Sequence, residues 1–204
     1  PYNEEEKQHH EKFKMIEPKC LIHGTYIVGE NEDGLYIMDQ HAVNERINYE
    51  YYMKKLGEDS NLTTDLLIPI KLEFPSNEYI ILKEHFNILD RLHINYEEFG
   101  SNTLIIRSHP TWIKKGYEEE SLYKIMEVII HEEDFSIEKF NEKISTTLAC
   151  KMSIKANEYV SLDELRVLIE RLRETENPFT CPHGRPTIIS YSKYELEKLF
   201  KRAM

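Results

Sequence analysis

Cysteine is scarce in this chain: three residues among 204, Cys20, Cys150 and Cys181. An odd number at wide spacing excludes a disulfide framework. It suits a reducing, cytoplasmic setting, where a functional thiol acts as ligand or nucleophile. Glycine is also sparse, seven in all, and no Gly-rich phosphate-cradling loop is present. No apolar run approaches the ~20 residues that span a bilayer, so no membrane partner is expected. The start, "PYNEEEKQHHEKFK", lacks the basic-then-apolar order of a signal peptide. Its composition reads as a linker or frayed arm over 1–15, and the missing initial Met marks a piece of a longer protein. Basic residues are outnumbered, 26 Lys and Arg against 37 Asp and Glu, for a net charge of −11. Nucleic-acid binders usually carry a basic face, so such a role here needs a local patch, bound cations or a tether. His-Glu-x-x-His and the zinc-deaminase signature are missing too.

What is present reads as an α/β or α+β chain. "KCLIHGTYIVGENEDGLYIMD" predicts a strand, a turn at 31–34 and a second strand. A helix over 42–56 follows, stopping at Gly57 with Lys54 and Lys55 in its last turn. Residues 66–74 predict a strand whose Pro69 marks an edge or bulge. Ser76 is the expected cap of a helix reaching Leu92. Strands are expected over 94–99 and 103–108, a helix over 119–132, and one or two helices within 136–157. Ser161 and Glu164 form a capping box, with apolar spacing at 162, 165, 168, 169 and 172. A short strand over 187–191 and a second capping box, Ser192 with Glu195, end the chain.

"DQHAVNERINYE", residues 39–50, concentrates the chemistry. At i,i+4 on a helix, His41 and Glu45 face the same way and can grip one ion. By itself such a pair also reads as a solvated helix face. Glu50 falls about 140° from Glu45, outside that face. Asp39 ends the strand, where its carboxylate can aim into a cleft. In "CPHGRP", 181–186, a thiolate and an imidazole alternate around Pro182 on a stiff, extended turn, a donor pair suited to Zn²⁺. Read without partners, it is a loop with a buried Cys and a surface His. Cys150 stands as ligand or as core.

Taken together, these stretches resemble the C-terminal domain of the MutL mismatch-repair family. "DQHAVNERINYE" fits its Asp-Gln-His-Ala-x2-Glu-x4-Glu endonuclease motif at every fixed position. "ACK" at 149–151 resembles Ala-Cys-Arg, with Lys151 in place of Arg. "CPHGRP" is identical to a third motif, and "FKR" at 200–202 looks like a terminal Phe-x-Arg. The four motifs occur in the family's order across nearly the whole chain.

The resemblance implies a homodimeric, metal-dependent endonuclease that nicks duplex DNA with metal-activated water. It implies His41, Glu45, Cys150, Cys181 and His183 as ligands, Asp39 and Glu45 as catalytic residues, structural or regulatory Zn²⁺, and catalytic Mn²⁺. Lys151 and Arg185 become candidate DNA contacts, although Arg185 equally suits a pairing with a cleft carboxylate. Residues 16–60 and 141–204 would form the dimerisation and endonuclease subdomain. An inserted α/β regulatory subdomain would occupy 61–140. There Thr64, Leu67, Ile68 and Pro69 align with a sliding-clamp motif, Gln-x-x-(Leu/Ile)-x-Pro, with Thr64 replacing Gln. Further implied partners are an N-terminal ATPase domain of the same protein and a mismatch-recognition protein. With a charge of −11, weak DNA binding without a tether is expected. A non-catalytic dimerisation scaffold with structural zinc is the alternative.

Overall fold

A computed structural model describes residues 13–58, 61–132, 136–152 and 160–202. Two compact units emerge, Pro1–Ile47 with Met152–Met204, and Asn48–Lys151.

In the first unit, β1 (Glu17–Ile22), β2 (Tyr26–Glu30), β3 (Gly34–Asp39) and β7 (Ile188–Ser192) form one antiparallel sheet in the order β1-β2-β3-β7. The two strands expected over 19–39 are thus three. The extra break falls at His23 and Gly24, which adopt φ of 52° and 60°, and a positive-φ pair turns the chain tightly. Gly34 is required where β3 meets β7, because a Cβ there would come within 2.1 Å of the Tyr191 carbonyl oxygen.

One face of this sheet packs on α6 (Leu162–Glu174) and the start of α1 (Gln40–Gly57). Ile16, Ile27 and Met38 meet Val43, Ile47, Leu165, Leu168, Ile169 and Leu172 in one core. The helical spacing of α6 places four of its five predicted apolar positions there, while Leu162 stays exposed. The Ser161–Glu164 capping box forms, and so does Ser192–Glu195 at the start of α7 (Lys193–Leu199). Phe13 packs on Phe179, and Met15 lies against the core, so the described end of the N-terminal arm is anchored.

In the second unit, β4 (Thr63–Glu73), β6 (Thr103–Pro110) and β5 (Asn95–Glu98) form an antiparallel sheet in the order β4-β6-β5. Helices α4 (Glu118–His131) and α5 (Ile137–Met152) lie in the same unit. The single helix expected from Ser76 to Leu92 is two, α2 (Ser76–Glu84) and α3 (Phe86–Arg91), parted at His85. Pro75, not Ser76, occupies the cap position, and no side chain caps the helix there. The Pro69 signal marks a real bulge. Asp65 pairs with Ser108 and Ile70 with Ile106, so five steps on β4 face two on β6. The surplus residues are looped out, leaving Leu67 99% exposed. Trp112 is a buried packing anchor, edge-on to Tyr52 at 6.0 Å. The part of the expected 136–157 helical region beyond Met152, residues 153–157, lies outside the described residues.

Candidate metal centre

The site is built where β3 hands over to α1. Asp39 closes the strand and caps the helix, its Oδ1 accepting from the backbone N–H of His41 at 2.9 Å and of Ala42 at 3.1 Å. That cap fixes the first turn. His41 and Glu45 then fall on one face, His41 Nε2 lying 3.1 Å from Glu45 Oε1. From Ala42 to Ile47 every residue of α1 is buried, so the Glu45 carboxylate, 2% exposed, is held away from water.

The loop 178–187 brings the other donors. Cys181 accepts at its carbonyl from Gly184 N–H at 2.9 Å and donates its own N–H to Arg185 at 2.9 Å. Pro182 presets one corner of this turn, and Gly184, at φ 80°, supplies the positive-φ closure. The loop is therefore a closed turn, not the extended one expected from sequence, because Gly184 lets the chain double back. Cys181 points inward, 2% exposed, and His183 Nδ1 reaches Glu45 Oε2 at 3.2 Å. Each oxygen of one buried carboxylate thus meets an imidazole nitrogen.

One donor atom each from Glu45, Cys181 and His183 lies within 4.8 Å of the others. A buried carboxylate is costly unless it is paired or ligates a metal. Oxygen, sulfur and nitrogen donors around one point match the mixed ligand preference of Zn²⁺. The residues fit a metal ion on that ground, and three residues plus His41 give a count a tetrahedral ion accepts.

Sequence reasoning passed over Arg46. Buried beside Glu45, it sends Nε to the carbonyl of Thr180 at 2.5 Å, the residue before Cys181. Thr187 secures the far end of the loop, bonding the Pro178 carbonyl and accepting the Asp39 N–H at 3.1 Å. The available signal was an adjacent Glu-Arg pair in a stretch that also carries Ala42, Val43 and Ile47, more apolar residues than a solvated helix face would need.

The remaining candidates stand elsewhere. Arg185 is exposed on the loop. Cys150 is exposed near the end of α5 in the second unit. Lys151, next to it, pairs with Glu120 at 3.3 Å. Thr64 pairs with His109 in β4–β6, and Leu67, Ile68 and Pro69 lie in the exposed bulge.

An α+β domain with a buried carboxylate–thiol–imidazole cluster at a strand–helix junction is the class these features define. The profile described as "MutL C terminal dimerisation domain" matches residues 19–160, and the chain belongs to that family. It is 48% identical over 204 residues to the DNA mismatch repair protein MutL of Listeria monocytogenes, covering 100% of this chain and 34% of the relative. To the proteins of that name from Geobacillus sp. and Bacillus pumilus it is 45% identical, over 202 and 194 residues. These cover 99% and 95% of this chain and 33% and 31% of the relatives. The chain therefore spans about a third of the curated relatives it matches. Among the described residues, no helix is long and apolar enough to cross a membrane.

Proposed function

We propose that this domain is the metal-dependent endonuclease and pairing module of a mismatch-repair protein, nicking duplex DNA by phosphodiester hydrolysis. The observation that carries it is the buried Glu45–Cys181–His183 cluster, with Asp39 at the head of the same helix. Glu45, Cys181, His183 and His41 would hold the ion, and Cys150 is a further candidate ligand. Zn²⁺ held there would fix the loop against the helix, and Mn²⁺ would supply water activation and neutralisation of developing phosphoryl charge.

The chain's own residues supply the rest. Asp39 orients the first turn of α1 through its two amide contacts, and its second carboxylate oxygen is the general-base candidate for a water attacking phosphorus. Arg185, exposed beside the ligands, is a phosphate contact. Lys151 would have to exchange Glu120 for a phosphate to do the same. Leu67, Ile68 and Pro69, with Thr64, form a looped-out segment that an apolar groove on a sliding clamp can accept. The domain pairs with a second copy, and an N-terminal ATPase domain and a mismatch-recognition protein complete the assembly.

The decisive experiment is Asp39→Asn. Asn caps helices as well as Asp, so folding and zinc content stay at wild-type values while Mn²⁺-dependent nicking is lost. Retained nicking would overturn the catalytic assignment. The capping bonds of Asp39 also favour a second reading, a scaffold with structural zinc in which Asp39 only holds the helix. For that scaffold, purified wild-type protein nicks no better with Mn²⁺ than without it.

A further inference from the structure

On a chain of −11, a place where cations converge needs a reason. One such place is a cavity of about 190 Å³ in the second unit, whose walls include Lys55, Glu58, Arg91, His93, Trp112 and Asn141. The last turn of α1, the last turn of α3, the chain after β6 and the start of α5 meet there. Helix dipoles draw basic residues into last turns, which accounts for Lys55 and Arg91 one at a time. It does not account for two such turns opening on one hollow.

The two cations are held differently. Lys55 Nζ meets Glu58 at 2.6 Å, in a pair whose side chains are 34% and 36% exposed. A pair this open contributes little, so Glu58 can be exchanged for another anion. The carboxylate on Lys55 already shows that the place takes negative charge. Arg91 has no carboxylate partner among the described residues. Its guanidinium lies over the buried ring of Phe140, 5.4 Å from the centroid. Stacking fixes the plane of the guanidinium and leaves its N–H edge for two parallel bonds to one oxyanion, the fork that matches phosphate. His93, at φ 55°, and Asn141, whose amide reaches the Leu56 carbonyl at 3.4 Å, add polar groups.

Size narrows the ligand. Drug-sized molecules occupy cavities of roughly 300–1,000 Å³, so this one suits a single group whose remainder stays outside. We infer that the cavity seats one backbone phosphate of duplex DNA, gripped by Arg91 and by Lys55 once Glu58 turns away. The inference rests on the duplex-nicking reading above, which supplies that phosphate. Free phosphate shares the chemistry, and the test separates the two sources.

Trp112 is the chain's one tryptophan and stands in the cavity wall, so its fluorescence reports occupancy. Titrating a short duplex into the whole 204-residue chain at low salt should change that emission and give a Kd. Arg91→Gln should weaken binding by about tenfold, the low end for a hydrogen bond to a charged group, and lower the salt slope by about 1. Glu58→Gln frees Lys55 and should tighten binding by up to about fivefold. Tighter binding cannot come from a lost fold, so Glu58→Gln decides the matter should Arg91→Gln misfold. Arg107 and Glu97, bonded at 3.0 Å in the same unit and outside the cavity walls, control for charge alone. Arg107→Gln and Glu97→Gln should leave Kd and slope at wild-type values. Equal effects at both pairs, or none at either, would overturn the seat, as would a wild type whose emission answers to no duplex. Emission that answers to inorganic phosphate and not to duplex would overturn DNA as the source. Arg91-dependent binding without nicking sinks the nicking reading and leaves the seat standing; nicking with Arg91-independent binding does the reverse.

Discussion

Asp39 has one observed use, the helix cap, and one proposed use in the chemistry, and its substitutions separate them. Asp39→Ala removes the acceptor for two backbone N–H groups and costs about 1 kcal/mol of stability. Asp39→Asn keeps the cap and should remove only activity. Arg46 is the complementary case, a residue outside the donor set that holds the candidate ligands in place. Its bond to the Thr180 carbonyl ties the Cys181–His183 loop to the helix carrying Glu45. Arg46→Met should therefore weaken zinc binding by about 10- to 100-fold, the range for partners that orient ligands. Chelator competition measures this without reference to activity, and Arg46→Lys, which still donates to a carbonyl, should recover part of the loss. Unchanged affinity in Arg46→Met would leave Arg46 as packing alone. The motif residues were legible in the sequence because four motifs in order resemble one family, while their spacing alone left a solvated helix face and an ordinary loop open. Arg46 was not, because its partner is a main-chain carbonyl 134 residues away, and main-chain acceptors leave no mark in a sequence.

At the scale of the element, the capping boxes behave as their sequence signature requires. The Ser161 amide and hydroxyl bond the Glu164 carboxylate and hold it below the ordinary value of 4.5. Ser192 does the same for Glu195. A depressed carboxylate stabilises the fold above its unfolded value and loses that contribution as pH falls through the folded one. Protection of the α6 amides, taken relative to their intrinsic exchange rate, should accordingly fall as pH drops below about 4.5, and Glu164→Gln should flatten that dependence. Ser161→Ala should cost about 1 kcal/mol in denaturant unfolding. The opposite sign belongs to Tyr52. Burial, with a smaller contribution from Tyr51, pushes its phenol up to about 12. Its contribution is complete below pH 10 and disappears as pH rises towards 12. Tyr79 is pushed up to about 12 as well, so a spectrophotometric titration should show a late tyrosine step that Tyr52→Phe reduces and does not abolish. Helix breaks were less legible than caps. His85 splits α2 from α3 without Gly or Pro, so the apolar pattern reads continuously from Ser76 to Leu92 while the backbone does not.

For the whole molecule, net charge constrains the proposed encounter with DNA. A surface of −11 offers few cations to replace the counterions around phosphates. The isolated domain should bind duplex weakly and nick slowly. A clamp loaded on the DNA should raise the nicking rate by supplying local concentration, and Leu67→Ala should cancel that gain while leaving clamp-free nicking unchanged. Nanomolar binding by the isolated domain in physiological salt would remove the need for a tether. The chain's first compact unit joins residues 1–47 to 152–204, and that joining is what lets Glu45 meet Cys181 and His183.

By itself the sequence pointed to the element types, the two capping boxes, an edge or bulge at Pro69 and, through its resemblance to a family, the candidate donor residues. The first three follow from local chemistry: periodicity, a side chain bonding a nearby amide, and a proline without N–H. Only the tertiary structure decided which donors share one point and that Arg46 fastens the loop. Those outcomes depend on residues more than a hundred positions apart arriving together, and no local rule encodes the register that brings them there.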